Sequence, residues 1–449
     1  MQTSKTLKRI LVIVLTAIFT LLGIFAMNFC LTRPSLTELY VHHVNELKEK
    51  GENVDMIFVG ASRMYHGLNP DVFEEELGFD HVLNNATPSQ RAVFTYYMLE
   101  DTLQNFKPKY ALIGTTYNGL MFDQGYHNFT LAMNRLPLIN RIRCVADVYG
   151  LKEGLMVMSG KTEYLSDENF GHAYKYVKNK IDRYRGINNT ENNTKDTRYN
   201  ENGYVEEFLS LPQGSIDYGY GEDRPFRTED INPKNLEYLE KSIKMCEEHG
   251  VQPILFTGVC TTARMYSVEN YQEVVEFFSD LAAKYNTIYV NMNYIKDREK
   301  LFPDTVFIDN LHVNDVGGEI QSEIFAKIFK DYIEGKSIDH YFYKDFDDMA
   351  KDVHRIPGCV GIANEGNGKL FINMESVHNQ DVVPEYRVVA GINDKDTTVT
   401  LTDWTVKSKF GYSSSKLKEY DYLKVEVRSG EPGEDYAYKI FNLREEEDK

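Results

Sequence analysis

Apolar residues follow three successive patterns along the chain. Residues 10–31 form an uncharged, largely apolar run of 22 residues. From about residue 55, short apolar runs alternate with segments in which apolar residues recur every three or four positions, as in strands alternating with helices. After about residue 345, period-two runs are separated by Gly, Pro and Asn-Asp turns. The pattern predicts an apolar N-terminal segment, an α/β body and an all-β C-terminal region.

The α/β body is predicted to contain one parallel sheet. The expected strands cover residues 55–60, 81–85, 110–115, 253–257 and 287–291. Helices are expected from Pro70, over 90–105, 232–249 and 268–285, and up to about residue 332. Strands that alternate with helices form parallel sheets with right-handed crossovers. We therefore predict a flavodoxin-like, doubly wound fold with strand order 2-1-3-4-5.

A long segment, residues 118–227, interrupts this alternation and is predicted to be a partly helical insertion. Insertions of this size commonly become a lid or a wall of a functional site. The predicted organisation is a cytoplasmic N-terminus and anchor over 1–33, a helical neck over 34–54, an α/β domain over 55–335 that carries the insertion, and a β-sandwich over 345–449.

The apolar run near the N-terminus has the length of a membrane anchor. At about 1.5 Å per residue, a helix over residues 10–31 spans a hydrocarbon layer of roughly 30 Å. Lys5, Lys8 and Arg9 precede it, which favours a cytoplasmic N-terminus and an extracytoplasmic body. A cleaved signal peptide is the alternative, but Phe25-Ala26-Met27-Asn28 is a poor cleavage site. We expect an uncleaved single-pass anchor.

Charge and cysteine content exclude several classes of function. The formal net charge of -18 argues against nucleic-acid binding, which needs a basic face for phosphate. The five cysteines are widely spaced and form no Cys-x-x-Cys pair, so neither a zinc site nor a disulfide scaffold is indicated. We predict no metal and no organic cofactor.

Three polar residues suggest chemistry at the sheet edge. Ser62 follows the first predicted strand, where ligands of open α/β sheets bind. A nucleophilic serine needs a histidine and an orienting acid, and Asp309 and His312 form a short Asp-x-x-His loop before the last helix. The fifth strand would lie about 14 Å from the first, so residues 293–308 must reach back across the edge. The alternative is a strand-end turn residue and a histidine that merely braces a helix.

These motifs resemble the SGNH/GDSL hydrolase superfamily. The resemblance rests on Gly-Ala-Ser-Arg after strand one, Asp-x-x-His before the last helix, and Asn314 and Gly317 behind the histidine. It covers roughly residues 55–333 without the insertion. It implies Ser62 as nucleophile, His312 as general base and then acid, and Asp309 as the residue that orients the histidine.

The resemblance also implies an oxyanion hole, where this chain departs from the pattern. Superfamily members use the serine N–H, a glycine N–H after strand two and an asparagine side chain after strand three. Here Ala86 stands near the glycine position, Thr116 in the asparagine position, and Asn118 two residues further on. One missing donor costs about 3 kcal/mol of transition-state stabilisation. Arg63 and His66, close to Ser62, are candidate substrate contacts.

The predicted anchor makes the chain similar to a membrane-anchored, extracytoplasmic branch of the superfamily. That branch includes the D-alanyl transfer protein of teichoic-acid modification and polysaccharide O-acetylation proteins. The resemblance implies a covalent acyl-Ser62 intermediate, a membrane-bound O-acyltransferase as acyl donor, and a cell-envelope glycan as substrate. The alternative is a non-catalytic cell-surface glycan-binding or assembly protein that retains the scaffold.

Overall fold

A computed structural model describes most of the chain. The described residues are 2–31, 37–121, 135–158, 174–175, 177–178, 181, 194–216, 225–379, 381–393, 395–430 and 437–444.

Two helices precede the α/β body: α1 (Gln2–Leu31) and α2 (Thr37–Lys50). Several apolar side chains of α1 are exposed, including Leu7 and Phe19, each with 70% of its surface accessible. The sequence predicts a membrane anchor over residues 10–31. Within the part of the chain that the structure describes, however, no helix combines the length and the apolarity that crossing a bilayer requires.

Seven strands belong to the α/β body. They are β1 (Met56–Val59), β2 (Val82–Asn84), β3 (Tyr110–Gly114), β4 (Thr197–Tyr199), β5 (Val205–Glu207), β6 (Gln252–Thr257) and β7 (Ile288–Asn291). Five of them form one sheet in the order β2-β1-β3-β6-β7, and every neighbouring pair is parallel. This confirms the predicted parallel sheet and its strand order.

Helices flank the sheet. They are α3 (Ser62–Gly67), α4 (Pro70–Leu77), α5 (Ala92–Asn105), α6 (Tyr117–Met121), α7 (Leu138–Met158), α8 (Pro233–Glu248), α9 (Thr262–Tyr266), α10 (Tyr271–Lys284), α11 (Arg298–Leu301), α12 (Asp315–Ile333) and α13 (Phe346–Ala350). Asn69 accepts a hydrogen bond from the Asp71 N–H, with Pro70 at the first helical position. Local capping therefore sets the start of α4. The short helices α3, α6, α9 and α11 were not expected from the sequence pattern.

The sheet is buried on both faces, and alternate residues of its strands serve two apolar layers. Ile57 and Val59 of β1 face a layer shared with α5, α8 and α10. Met56 and Phe58 face a second layer shared with α4 and α12. One apolar layer packs on each face of the sheet. The carboxyl edge of the sheet, where Ser62 lies, is therefore supported by packed side chains on both faces.

The described part of the insertion contains α7 and an antiparallel hairpin of β4 and β5. The hairpin packs on the α/β body: the Asn84 N–H donates to the Asn202 carbonyl over 2.8 Å. Gly203 has φ +95°, a conformation that favours glycine, and a side chain there would collide with the Asn84 carbonyl. The prediction of a helical insertion is therefore incomplete, because this part of it is a β-hairpin.

The C-terminal region forms two antiparallel sheets. Its elements are β8 (Gly358–Gly366), β9 (Lys369–Val377), β10 (Glu385–Ile392), β11 (Lys395–Thr405), β12 (Lys409–Ser413), α14 (Ser414–Leu417), β13 (Tyr422–Arg428) and β14 (Ala437–Asn442). Four strands pair in the order β11-β10-β13-β14 and three in the order β12-β9-β8. A separate apolar core includes Ile372, Val388 and Val425. The all-β prediction for this region is confirmed.

A buried ion-pair cluster joins the two regions. Arg355 precedes β8, and its guanidinium lies 2.8 Å from the Asp304 carboxylate and 2.9 Å from that of Glu299. Asp304 is only 1% exposed and also accepts a hydrogen bond from the Gly214 N–H. Charges buried to this extent need their partners, because the desolvation cost remains when one of them is removed.

We expect Arg355→Met to lower the free energy of unfolding by about 3 kcal/mol, because it removes the cation paired with the buried Asp304 carboxylate and leaves Glu299 with Arg298, 3.6 Å away. Urea denaturation followed by circular dichroism measures this. Lys351→Met is the matched control, since Lys351 is exposed and its ion pair with Asp348 lies at the surface. Equal stability of the two variants would contradict the role assigned to Arg355.

Candidate active site

Ser62 is held by a tight turn between the central strand and a short helix. β1 ends at Val59, Gly60 has φ +145°, and Ser62 is the first residue of α3. A Cβ at Gly60 would lie 2.9 Å from Cγ of Met64 and 3.0 Å from Cα of Gly114. Only glycine fits between these neighbours, so the turn directs Ser62 to the carboxyl edge of the sheet.

The loop that carries Asp309 and His312 is fixed by its own hydrogen bonds. Phe307 and Val313 form an isolated antiparallel bridge that closes the loop. Within it, one carboxylate oxygen of Asp309 accepts from the backbone N–H of Leu311 at 2.7 Å and of His312 at 2.8 Å. These two backbone hydrogen bonds alone orient the Asp309 carboxylate, independently of its contact with the imidazole of His312.

The start of α12 supports the same loop. Asn314 caps the helix by accepting from the Gly317 N–H over 3.0 Å. Its side-chain amide donates to the carbonyls of Thr305 and Leu209. Leu209 belongs to the insertion, so the cap ties the loop, the helix and the insertion together.

The three predicted residues meet at the sheet edge. Ser62 Oγ lies 2.6 Å from His312 Nε2, and His312 Nδ1 lies 2.8 Å from Asp309 Oδ2. With the Nδ1 proton donated to the carboxylate, the Nε2 lone pair can accept the serine proton. β7 is the edge strand three positions from β1, and the segment after it crosses that distance as expected.

Electrostatics keep the acid of this group ionised. Partial burial raises the pKa of Asp309. The hydrogen bond and charge of His312, together with two backbone N–H donors, lower the pKa by more, so the pKa of Asp309 lies below its ordinary value. An ionised Asp309 holds the imidazole in one tautomer and stabilises it when it takes up a proton.

His66 packs beneath this group instead of facing solvent. It is 6% exposed, and its ring centroid lies 5.6 Å from that of His312 in an edge-on arrangement. Its Nδ1–H donates to the Val205 carbonyl of β5 over 3.1 Å. Burial, aided by the charge of His312, lowers the pKa of His66 to about 3. His66 is therefore a buried, neutral packing residue in this structure, and its role as a substrate contact stays a prediction.

Arg63 points to the other side of α3. It lines two adjoining depressions at the carboxyl ends of β3 and β6, together with Thr116. Its Cβ lies close to Gly258, which follows β6. Of the two predicted substrate contacts, Arg63 is thus the one that faces open space next to α3.

The oxyanion-hole candidates differ in availability. The Ala86 N–H already donates to Asn84 Oδ1, at 3.3 Å. Thr116 Oγ accepts from the Gly119 N–H at 3.1 Å, which leaves its own hydroxyl hydrogen for another acceptor. The Asn118 carbonyl accepts from Arg91, and Asn118 lies in α6. Among the three, Thr116 lines the depressions that Arg63 also lines.

Sequence reasoning missed the hairpin wall of the site. Glu207 on β5 lies within electrostatic reach of His312, and burial raises the pKa of this carboxyl. The signal was present, because Asn202-Gly203 between Thr197–Tyr199 and Val205–Glu207 is a strong hairpin pattern. The described residues contain no cluster of three or more potential metal ligands.

Among known proteins, this chain is similar to solved structures only at low sequence identity. No family model and no curated protein matches the chain. It is similar to a structure described as a lipolytic protein of the G-D-S-L family from Desulfitobacterium hafniense DCB-2, with 11% identity, a TM-score of 0.31, and coverage of 61% of this chain and 99% of that one.

Two further structures are similar at the same level. One is described as an acylhydrolase from Bacteroides fragilis NCTC 9343, with 11% identity, a TM-score of 0.31, and coverage of 67% and 100%. The other is a two-domain esterase active on acetylated mannans, with 14% identity, a TM-score of 0.26, and coverage of 90% and 94%. With TM-scores this low, no property of these proteins is transferred to this chain.

The buried His66 predicts an acid-sensitive fold. Its pKa falls from 6.5 in the unfolded chain to about 3 in the folded one. Between these values the unfolded chain binds a proton that the folded one excludes, so stability is complete above pH 6.5 and declines as pH falls towards 3. By pH 5 the loss from this residue is about 2 kcal/mol.

Urea denaturation at pH 7 and pH 5 checks this expectation. His66→Gln should lose about 2 kcal/mol less than the parent between the two pH values, because its side chain does not titrate. His340→Gln, at an exposed position, serves as the control and should follow the parent. A His66→Gln variant that is as acid-sensitive as the parent would show that His66 is protonated in the fold.

Proposed function

We propose that this protein is an SGNH-type serine esterase or O-acyltransferase that works through a covalent acyl-Ser62 intermediate. The observation that carries the proposal is the continuous hydrogen-bonded chain from Ser62 Oγ through His312 to Asp309, at 2.6 and 2.8 Å. These separations suit proton transfer and orientation without rearrangement.

The chemistry follows from the direction of that chain. Ser62 Oγ attacks the ester carbonyl carbon while its proton passes to His312 Nε2. The alkoxide leaving group takes this proton as the tetrahedral intermediate collapses, and the acyl group remains on Ser62. Attack by water then yields an acid, whereas attack by a second hydroxyl yields a new ester; in both cases His312 removes the proton and returns it to Ser62 Oγ.

Stabilisation of the oxyanion is the weaker part of the arrangement. The backbone N–H of Ser62, at the start of α3, has no acceptor within its helix. The Thr116 hydroxyl is a second possible donor, while the Ala86 N–H is already bonded. Fewer donors imply slower turnover, because each is worth about 3 kcal/mol in the transition state.

A non-catalytic binding role is the second candidate. The occupied Ala86 N–H and the absence of an asparagine at position 116 favour it. In that case Ser62 and His312 would serve only as polar contacts at the sheet edge.

The cellular setting rests on the sequence alone. We propose an extracytoplasmic protein that modifies a cell-envelope polysaccharide, with a membrane-bound O-acyltransferase as acyl donor. Loss of Ser62 in the native host should change the O-acyl content of the envelope glycan, since a transferase adds such groups and an esterase removes them. Unaltered O-acylation would argue against this substrate.

A fluorophosphonate probe tests the proposed nucleophile. We expect the full-length protein to be labelled at Ser62, Ser62→Ala to lose labelling, and His312→Ala to be labelled at least 100-fold more slowly, because the base that activates the hydroxyl is gone. The measurement is the second-order labelling rate, with the site identified by mass spectrometry.

Ser337→Ala is a matched control at an exposed position and should be labelled at the parental rate. Circular dichroism of each variant verifies the fold. A folded parent protein that the probe does not label at Ser62 would refute the enzymatic role and leave the binding role.

A further inference from the structure

Arg63 is a charged side chain without a partner in the described part of the chain. It is partly buried, yet its guanidinium makes neither a hydrogen bond nor an ion pair there. Other arginines of the α/β body are engaged: Arg264 donates to the Tyr117 hydroxyl, and Arg355 pairs with two carboxylates. A partly desolvated guanidinium with free donors is costly unless a ligand uses it.

The position of Arg63 connects it to the proposed nucleophile. It directly follows Ser62 in α3, and it lines both depressions beside that helix. Ala61 lines the first depression as well. Gly258 has no side chain at the point where Arg63 passes the end of β6; a Cβ there would lie 3.5 Å from Arg63 Cβ. Ala61 and Arg63, the two sequence neighbours of Ser62, thus both border the first depression, and a group bound to Arg63 would lie next to the start of α3.

The cleft has a charge opposite to that of the chain. No aspartate or glutamate is among the described residues that line the two depressions, whereas Arg63 and Arg264 both line the second. The chain as a whole has a formal charge of -18. A cationic cleft in an acidic protein attracts an anion, because carboxylates elsewhere on the surface repel the anion, whereas no described residue that lines the cleft offers a carboxylate to the guanidinium.

We propose that Arg63 is a specificity residue that pairs with a carboxylate, phosphate or sulfate on the substrate. The preferred substrate is then an ester that has an anionic group near the reacting carbonyl, on either its acyl or its alcohol side. This inference rests on the proposed function and extends it to a substrate class. The planar guanidinium matches such anions with two parallel N–H donors.

Matched pairs of esters test the inference and separate the two sides. Mono-4-nitrophenyl glutarate against 4-nitrophenyl valerate places the charge on the acyl side, and 3-acetoxybenzoate against phenyl acetate places it on the alcohol side. The Ser62→Ala protein provides the background rate for each ester. The measurement is the ratio of kcat/KM, anionic over neutral, in each pair.

We expect the parent to favour the anionic ester at least tenfold in one pair, and Arg63→Met to lower that ratio by about 10- to 100-fold, the range for a charge-assisted hydrogen bond. The loss should appear mainly in KM, because the contact is made in the ground state and the transition state alike. Arg63→Lys should keep part of the preference as a point charge. Arg428→Met, in the C-terminal sandwich, should leave the ratio unchanged.

A parental preference for neutral esters in both pairs, or an equal ratio in the parent and Arg63→Met, would overturn the inference.

Failure of the proposed function gives a different result: neither labelling of Ser62 nor turnover of any ester. In that case, isothermal titration calorimetry of the parent with monomethyl glutarate and with methyl valerate tests whether Arg63 binds an anion. Tighter binding of the anion, lost at least tenfold in Arg63→Met, supports the anion site; no binding of the anion by the parent overturns it.

Discussion

The close approach of β1, β3 and α3 is the constraint on which the rest of the site depends. Gly60 and Gly114 have no side chains, and Met64 fills the space between them, so a Cβ at either glycine would clash with it. Hydrogen bonds from two other elements then hold α3. The Asn84 side-chain amide donates to the carbonyls of Met64 and Leu68. The Gln321 side-chain amide of α12 donates to the Gly67 carbonyl. The direction of the Ser62 hydroxyl is thus a consequence of core packing rather than of the serine itself.

The second constraint is distance across the sheet. His312 belongs to a loop beyond the edge strand β7, yet it must reach a residue that follows the central strand β1. The loop achieves this because its backbone is closed by its own bridge and by Asn314 at the start of α12. The insertion completes the arrangement, since the Val205 carbonyl fixes His66 and His66 in turn packs against His312. A segment that interrupts the fold in sequence therefore becomes part of the support of the site.

Charge is distributed unevenly around this support. Asp309 stays ionised because His312 and backbone N–H groups bind it, whereas His66 stays neutral because it is buried. Beyond α3, Arg63 faces a cleft in which no described lining residue has a carboxylate. The two faces of one short helix thus present different chemistry: proton relay on the side of Ser62, and on the side of Arg63 a cation that no described residue pairs with. This division is the physical basis for expecting a charged ester.

The sequence by itself determined the elements and the order in which chemistry-bearing residues occur. Period-two and period-3.6 patterns predicted the parallel sheet and the all-β region, and the positions of Ser62, Asp309 and His312 at element ends predicted their common edge. Only the tertiary structure decided which neighbours those residues have. Burial of His66 and packing of the Asn202-Gly203 hairpin depend on contacts between segments more than 100 residues apart. The lack of a partner for Arg63 among the described residues likewise depends on which distant segments pack around α3. Local sequence patterns do not encode such contacts.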